Sequence, residues 1–202
     1  MNLSVILCSL IPMNVRYILI AILFCFAFAS KGQMVPLDST MSKALRPEGY
    51  PNTSQEFRQF HAVDINGNSY SNDSLINKIT FINFWMENCA PCLAEFGVLN
   101  DLFNKYKDDK RFLFISFTYE SKENALRVVN KYNLQYPVIC LDREDIYRLN
   151  FTLGFPTNLI SDRSASIKFI KCGGFDKMEK AKEEFENVYS KLIEVELKSS
   201  FK

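Results

Sequence analysis

The sequence predicts an α/β fold: a central mixed sheet flanked by helices, with a β-hairpin at its start. Three observations carry this. The runs ITFINFW (79–85) and FLFISF (112–117) are continuously apolar and β-prone, as strands buried on both faces of a parallel sheet are. Segments with helical spacing separate such runs, and alternation of this kind indicates parallel strands joined by helices. Near the end, two strand patterns flank the tight connection Asp162–Ala165, which adds an antiparallel edge.

Each element has its own signal. In FRQFHAVDINGNSY (57–70), Phe60, Ala62 and Ile65 surround Asn66-Gly67, a strong hairpin signature. Ser71 to Asn77 suits one helical turn. From Cys92 to Tyr106, apolar residues recur at Phe96, Leu99, Leu102, Phe103 and Tyr106 with helical spacing. Ser121 can cap a helix running to Tyr132, with Ala125, Val128 and Val129 inward. Pro137 to Leu141 reads as a third strand, and Asp142 opens a short helix to Leu149. Gly154-Phe155-Pro156 is a turn, followed by strands at 157–160 and 167–170. Gly173 and Gly174 end the last strand. Asp176 to Glu179 fits a capping box. The terminal helix then shows the stripe Met178, Ala181, Phe185, Val188, Leu192 and Val195, read as a face docked on the sheet rather than a coiled coil.

The chain has 202 residues, of which 48% are hydrophobic, enough for one well-filled core and too few for a second full domain. Lys plus Arg number 24 and Asp plus Glu 23, dispersed along the chain, so neither nucleic acid nor an anionic membrane surface is favoured as a partner. The organisation reads as a targeting segment (1–29), a linker or extended arm (30–56) and one domain (57–202). Tyr17 to Ala29 is apolar throughout, Arg16 precedes it, and Ala27-Phe28-Ala29 is a small-x-small cleavage pattern. These are the parts of a secretory signal peptide, and the run falls short of the roughly 20 residues of a membrane span. A start at Met13 would make the segment an ordinary signal peptide. An uncleaved anchor facing the periplasm is the alternative. Phe24 before Cys25 argues against lipidation.

Four cysteines remain outside the targeting segment: Cys89, Cys92, Cys140 and Cys172. The first two form Cys89-Ala90-Pro91-Cys92, between a buried strand and a helix. Thiol exchange needs a thiolate. A cysteine at a helix start faces unpaired backbone N–H groups and the positive end of the helix dipole, which can lower its pKa to about 7 or below. Pro91 suits the first helical turn, where its N–H is not needed. Cys92 lies one turn deeper. Cys89 is therefore the expected attacking thiol and Cys92 the resolving one. The pair is its own redox group, and no other cofactor is expected. A lone CxxC also resembles half a zinc site, but there is no second CxxC and His61 is the only histidine, so no metal is expected.

The segment FINFWMENCAPCLAEF resembles the active-site segment of thioredoxin-like proteins, in particular the exported TlpA/ResA group. The resemblance runs from about residue 57 to the C-terminus. It includes the hairpin, FxNFWxxxCxPC, the extra αβ element near 122–141, and Gly154-x-Pro156-Thr157. It implies disulfide reduction in the periplasm, with protein thiols and disulfides as clients and a membrane protein as electron donor. It also implies that Pro156 is cis and lies against the cysteine pair, and that Phe155 offers backbone groups to an extended substrate. Trp85, continuing the strand and packing under the site, and Asn88 complete the residues expected around a bound client. The resemblance matches Glu95 to a glutamate three residues past the second cysteine. Asn83 stands where thioredoxins proper place an aspartate, so Glu95, one turn from Cys92, is the candidate proton acceptor. The alternative is a solvated helix glutamate.

Asn88, Ala90 and Phe155 depart from residues common in the group. Two other functions are possible for such a chain: a redox-inactive binding or adaptor module, and a thiol peroxidase. MENCAPC lacks the threonine and proline that usually precede a peroxidatic cysteine. If the sheet is ordered as in the resembling group, Cys140 and Cys172 lie at opposite edges and are expected as two mostly buried thiols, too far apart for a disulfide.

Overall fold

The computed structural model describes residues 54–199. The targeting segment and most of the expected arm lie outside the described residues. A two-stranded antiparallel hairpin comes first, β1 (His61–Val63) and β2 (Ser69–Ser71). Gly67 at its turn has φ +94°, a conformation that explains the glycine. One helical turn, α1 (Asn72–Leu75), leads into β3 (Ile79–Phe84), whose six residues are all buried. Then follow α2 (Ala90–Tyr106), β4 (Phe112–Thr118), α3 (Lys122–Tyr132), β5 (Val138–Cys140) and α4 (Arg143–Leu149). The chain closes with β6 (Thr157–Ser161), β7 (Ile167–Cys172), α5 (Met178–Glu184), a π turn (Phe185–Tyr189) and α6 (Ser190–Lys198).

The main sheet has the order β5-β4-β3-β6-β7. β3, β4 and β5 are parallel; β6 and β7 run antiparallel. Successive residues of β3 serve opposite faces. Ile79 and Phe81 join the layer of α2, α3 and the C-terminal helices, whereas Ile82 and Phe84 join the layer of the hairpin, α1 and α4. This period of two places Asn83 on the α2 face and matters for the site. Aromatic contacts hold both layers: Phe81 meets Phe114 and Tyr189, and Phe84 stacks on Phe117 at 5.2 Å.

The cap signals at Ser121 and Asp142 are used as read. Each side chain accepts from the backbone N–H three residues on, Asn124 and Asp145. Gln55 and Glu56, assigned to the arm, instead join the domain. Gln55 accepts from the Ile167 N–H at 2.8 Å, and Glu56 bridges to Ser166.

Two readings of the C-terminal segment are corrected. The expected capping box at Asp176 is not made; the helix begins at Met178 behind Lys177, without a side-chain cap. The buried stripe is Ala181, Phe185, Tyr189, Ile193 and Leu197, whereas Met178 and Val195 are 56% and 63% exposed. The π turn explains this. Its i→i+5 bonding takes an extra residue into the turn, so residues four apart stay on one face. Cys140 and Cys172 lie on the two edge strands, as expected, and share no disulfide. Both are half-buried rather than mostly buried. Burial raises the pKa of Cys140, and the Cys172 thiol donates to the Leu153 carbonyl at 2.7 Å.

Candidate active site

Strand β3 delivers Trp85 and the loop 86–89 to the start of α2. Cys89 is the N-cap of that helix, and its sulfur accepts from the Cys92 backbone N–H at 3.2 Å. Pro91 sits in the first turn, where the missing N–H removes nothing. Cys89 and Cys92 form a disulfide. Cys89 is 5% exposed and Cys92 1%, so the first sulfur is the more accessible.

The loop before Cys89 is braced by the inserted αβ element. The Glu87 N–H donates to the Glu120 carboxylate at 2.9 Å, and Arg127 pairs with the Glu87 carboxylate through both terminal nitrogens. The Tyr119 hydroxyl donates to the Met86 sulfur at 2.7 Å. Asn88 is exposed beside the pair. Trp85 is fully buried and packs edge-on against Phe96, which makes it a support beneath the site rather than a surface for a client.

The Phe155–Pro156 bond is cis. Pro156 is buried, and its carbonyl accepts from the Gly173 N–H at 2.8 Å. Phe155 is half-buried, its ring held edge-on by Tyr119 and Tyr147. Among the described residues the Phe155 N–H and C=O make no hydrogen bond.

Glu95 is not a solvated helix residue. It is 1% exposed, one turn past Cys92 on α2. Burial pushes its carboxyl up to about 7; the Asn158 amide, which donates to it at 2.9 Å, opposes that rise. Asn158 in turn accepts from the Asn83 amide at 2.8 Å. Asn83 and Asn158 are register partners on β3 and β6, so the sheet itself aligns this chain of amides. Lys171 and Glu184, paired with each other, flank the carboxylate with opposing effects. A Cβ at Gly174 would overlap the Glu95 Oε1 and stand 3.1 Å from Pro156 Cγ. The backbone at Gly174 therefore packs against the acid and the cis proline together. No sequence signal marks Asn158, Lys171, Glu184 or Gly174, because each reaches Glu95 across the fold. Among the described residues, no three His, Cys, Asp or Glu side chains are grouped to hold a metal ion.

Gly174→Ala follows as a test of this packing. The added methyl has no room unless the Glu95 carboxylate shifts, and overpacking of this kind costs about 1–3 kcal/mol. Denaturant unfolding of the oxidised protein measures it; unchanged stability would mean that the carboxylate yields freely.

Residues 53–167 match the AhpC/TSA family, more than half of the chain. The chain belongs to the AhpC/TSA family. It is similar to the thiol-disulfide oxidoreductase ResA of Geobacillus kaustophilus, 26% identical over 58% of this chain and 68% of that protein. It is also similar to ResA of Bacillus thuringiensis, 29% identical over 56% of this chain and 65% of that protein. Among solved structures, a thiol:disulfide interchange protein of the thioredoxin family from Chlorobium tepidum superposes with a TM-score of 0.58 at 19% identity. That superposition covers 73% of this chain and 99% of the other. The fold is thioredoxin-like, as the resemblance in the active-site segment implies.

Proposed function

We propose that this AhpC/TSA-family chain is an exported thiol–disulfide oxidoreductase that acts as a reductant through Cys89 and Cys92. The observation that carries the reading is the placement of the pair: Cys89 caps α2, its sulfur faces the Cys92 N–H, and a buried carboxyl near neutral pKa lies one turn on. The names of the similar proteins support the same chemistry.

Reduced Cys89 attacks a client disulfide, and the client's leaving sulfur departs as a thiol. Cys92 then attacks Cys89 in the mixed disulfide, closing the Cys89–Cys92 bond and releasing the second client thiol. Before that step Cys92 must lose a proton in surroundings that disfavour charge. Asn83 is a neutral amide that cannot take up this proton, and Glu95, one helical turn past Cys92, is the candidate acceptor. Phe155, ahead of the cis proline, can offer its N–H and C=O to an extended client segment. The accessible neighbour Asn88 would make the rim polar.

Electrostatics supports the reductant reading. A reduced form stabilised as thiolate makes a strong oxidant. Here the helix start favours a thiolate, but a buried carboxylate nearby opposes one. A stronger influence of the carboxylate would favour the disulfide, and hence electron donation. Equilibration with glutathione and dithiothreitol tests this: the expected potential lies nearer the about −270 mV of thioredoxin than the about −120 mV of DsbA. A value near the latter, or a pair that never exchanges, would overturn it. The second outcome would favour an adaptor module, and turnover of hydrogen peroxide would favour a peroxidase.

Export rests on the pattern in residues 1–29. No helix among the described residues is long and apolar enough to cross a membrane. The expected location is extracytoplasmic, with protein thiols and disulfides as clients and a membrane electron donor upstream. Mass spectrometry of the exported chain is expected to find an N-terminus near Ser30. Retention of Tyr17 to Ala29 would mean an anchor.

A further inference from the structure

We infer that Asn158 is a positioning residue: its amide, held in one sense by Asn83, grips one oxygen of Glu95 and leaves the other to exchange the proton with Cys92. The inference rests on Glu95 as the proton acceptor in the proposed reaction.

The argument begins with register. Asn83 faces the α2 side of β3, and its partner across the antiparallel pair is Asn158. Both side chains are buried, at 1% and 0% exposure, and they meet at 2.8 Å. An ionised carboxylate can only accept. Asn158 must therefore present its nitrogen to Glu95, which turns its oxygen toward Asn83, and Asn83 must present nitrogen in turn. The whole chain thus has one sense, set by the acid at its end. Asn158 holds Oε2, while Oε1 packs against the Gly174 backbone. The proton taken up by Glu95 then belongs on Oε1, away from the Asn158 donor.

The other groups facing Glu95 do not fix it. Lys171 on β7 and Glu184 at the end of α5 pair with each other, so their effects on the acid oppose. Tyr136, just before β5, is a buried phenol whose pKa is raised chiefly by burial and further by Glu95 itself, so it stays neutral. Among the described residues, the Asn158 amide makes the one hydrogen bond to the Glu95 side chain.

The test is Asn158→Leu, similar in volume and without a donor. In the oxidised protein, the infrared carbonyl band of the protonated Glu95 is followed against pH, with Glu95→Gln identifying the band. Losing one hydrogen bond to a charged group is expected to raise the midpoint by about one to two pH units. In stopped-flow exchange, resolution near pH 6 should slow by about tenfold, more than the first attack does. Asn83→Leu should raise the midpoint less, because it frees the amide without removing it, and it decides the matter if Asn158→Leu does not fold. An unchanged or lowered midpoint overturns the inference. If Glu95→Gln resolves at the parent rate, the proton-acceptor role falls, and with it the Cys92 half of the inference. The infrared midpoint still decides whether Asn158 grips the acid.

Discussion

Cys92→Ser is expected to leave the chain covalently joined to its clients, whereas Cys89→Ser should leave it unjoined and inactive. Cys89 is the more exposed of the two cysteines and the one at the helix N-cap, so it is the one expected to make the first bond to a client. Without Cys92 the chain lacks its proposed resolving thiol, and the mixed disulfide is expected to accumulate. Without Cys89 the remaining thiol is 1% exposed and lacks the N-cap position. Exchange should then fall by at least about a thousandfold, the scale on which losing a nucleophile acts. Non-reducing gels of each variant after exposure to a disulfide-bonded protein report the adducts. Equal trapping by the two variants would reverse or remove the assigned order of attack.

Glu95→Gln should stabilise the oxidised protein while slowing its chemistry. The carboxyl is pushed up to about 7 from an ordinary value of 4.5, with burial as the main cause. Between those values the folded chain holds a proton that the unfolded chain has lost. Stability therefore falls as pH rises through this window and levels off above it. The full loss is on the order of 3 kcal/mol, at about 1.4 kcal/mol per unit. Glutamine never ionises, so the advantage of Glu95→Gln should grow from about pH 4.5 to about pH 7 and then hold. Denaturant unfolding at several pH values measures it, and parallel pH profiles for the two proteins would contradict it. In stopped-flow exchange the variant should resolve mixed disulfides about a hundredfold more slowly, a typical loss for a proton-transfer group. The first attack should be affected far less.

Much of this site could be read from the chain because its central parts are local. Strand, CxxC and helix are contiguous, so the N-cap position of Cys89 follows from order alone. The Asn66-Gly67 turn and the caps at Ser121 and Asp142 are short-range signals, and they were used where they stood. Long-range features were not legible. Asn158 matters because β6 lies antiparallel to β3 in one register, and Gly174 because β7 ends against the acid. No spacing in the sequence encodes either contact. The C-terminal stripe was misread for a different reason. A 3-4-3-4 reading assumes uninterrupted α-helix, and the π turn at Phe185–Tyr189 replaces it with a stripe of fours. Trp85, expected to pack under the site, does turn its ring inward, and only its grouping with client-contacting residues needs correction.

The amide chain from Asn83 through Asn158 to Glu95 spans 75 residues of sequence between its first two members. The two cysteines, in contrast, are three apart and can close their bond in a largely unfolded chain. The cysteine pair is thus a local feature, whereas the amide chain beside it is a long-range one. Until β6 pairs with β3, Glu95 has no Asn158 amide to bond. Asn158 on β6 bonds the acid and Gly174 just after β7 packs against it, so both contacts require the β6–β7 hairpin to pair with β3. A chain truncated before Thr157 would keep every residue of the CxxC segment and lose the tuned acid. Completion of the sheet is thus what sets Asn158 beside the acid, and the CxxC segment alone cannot supply that contact.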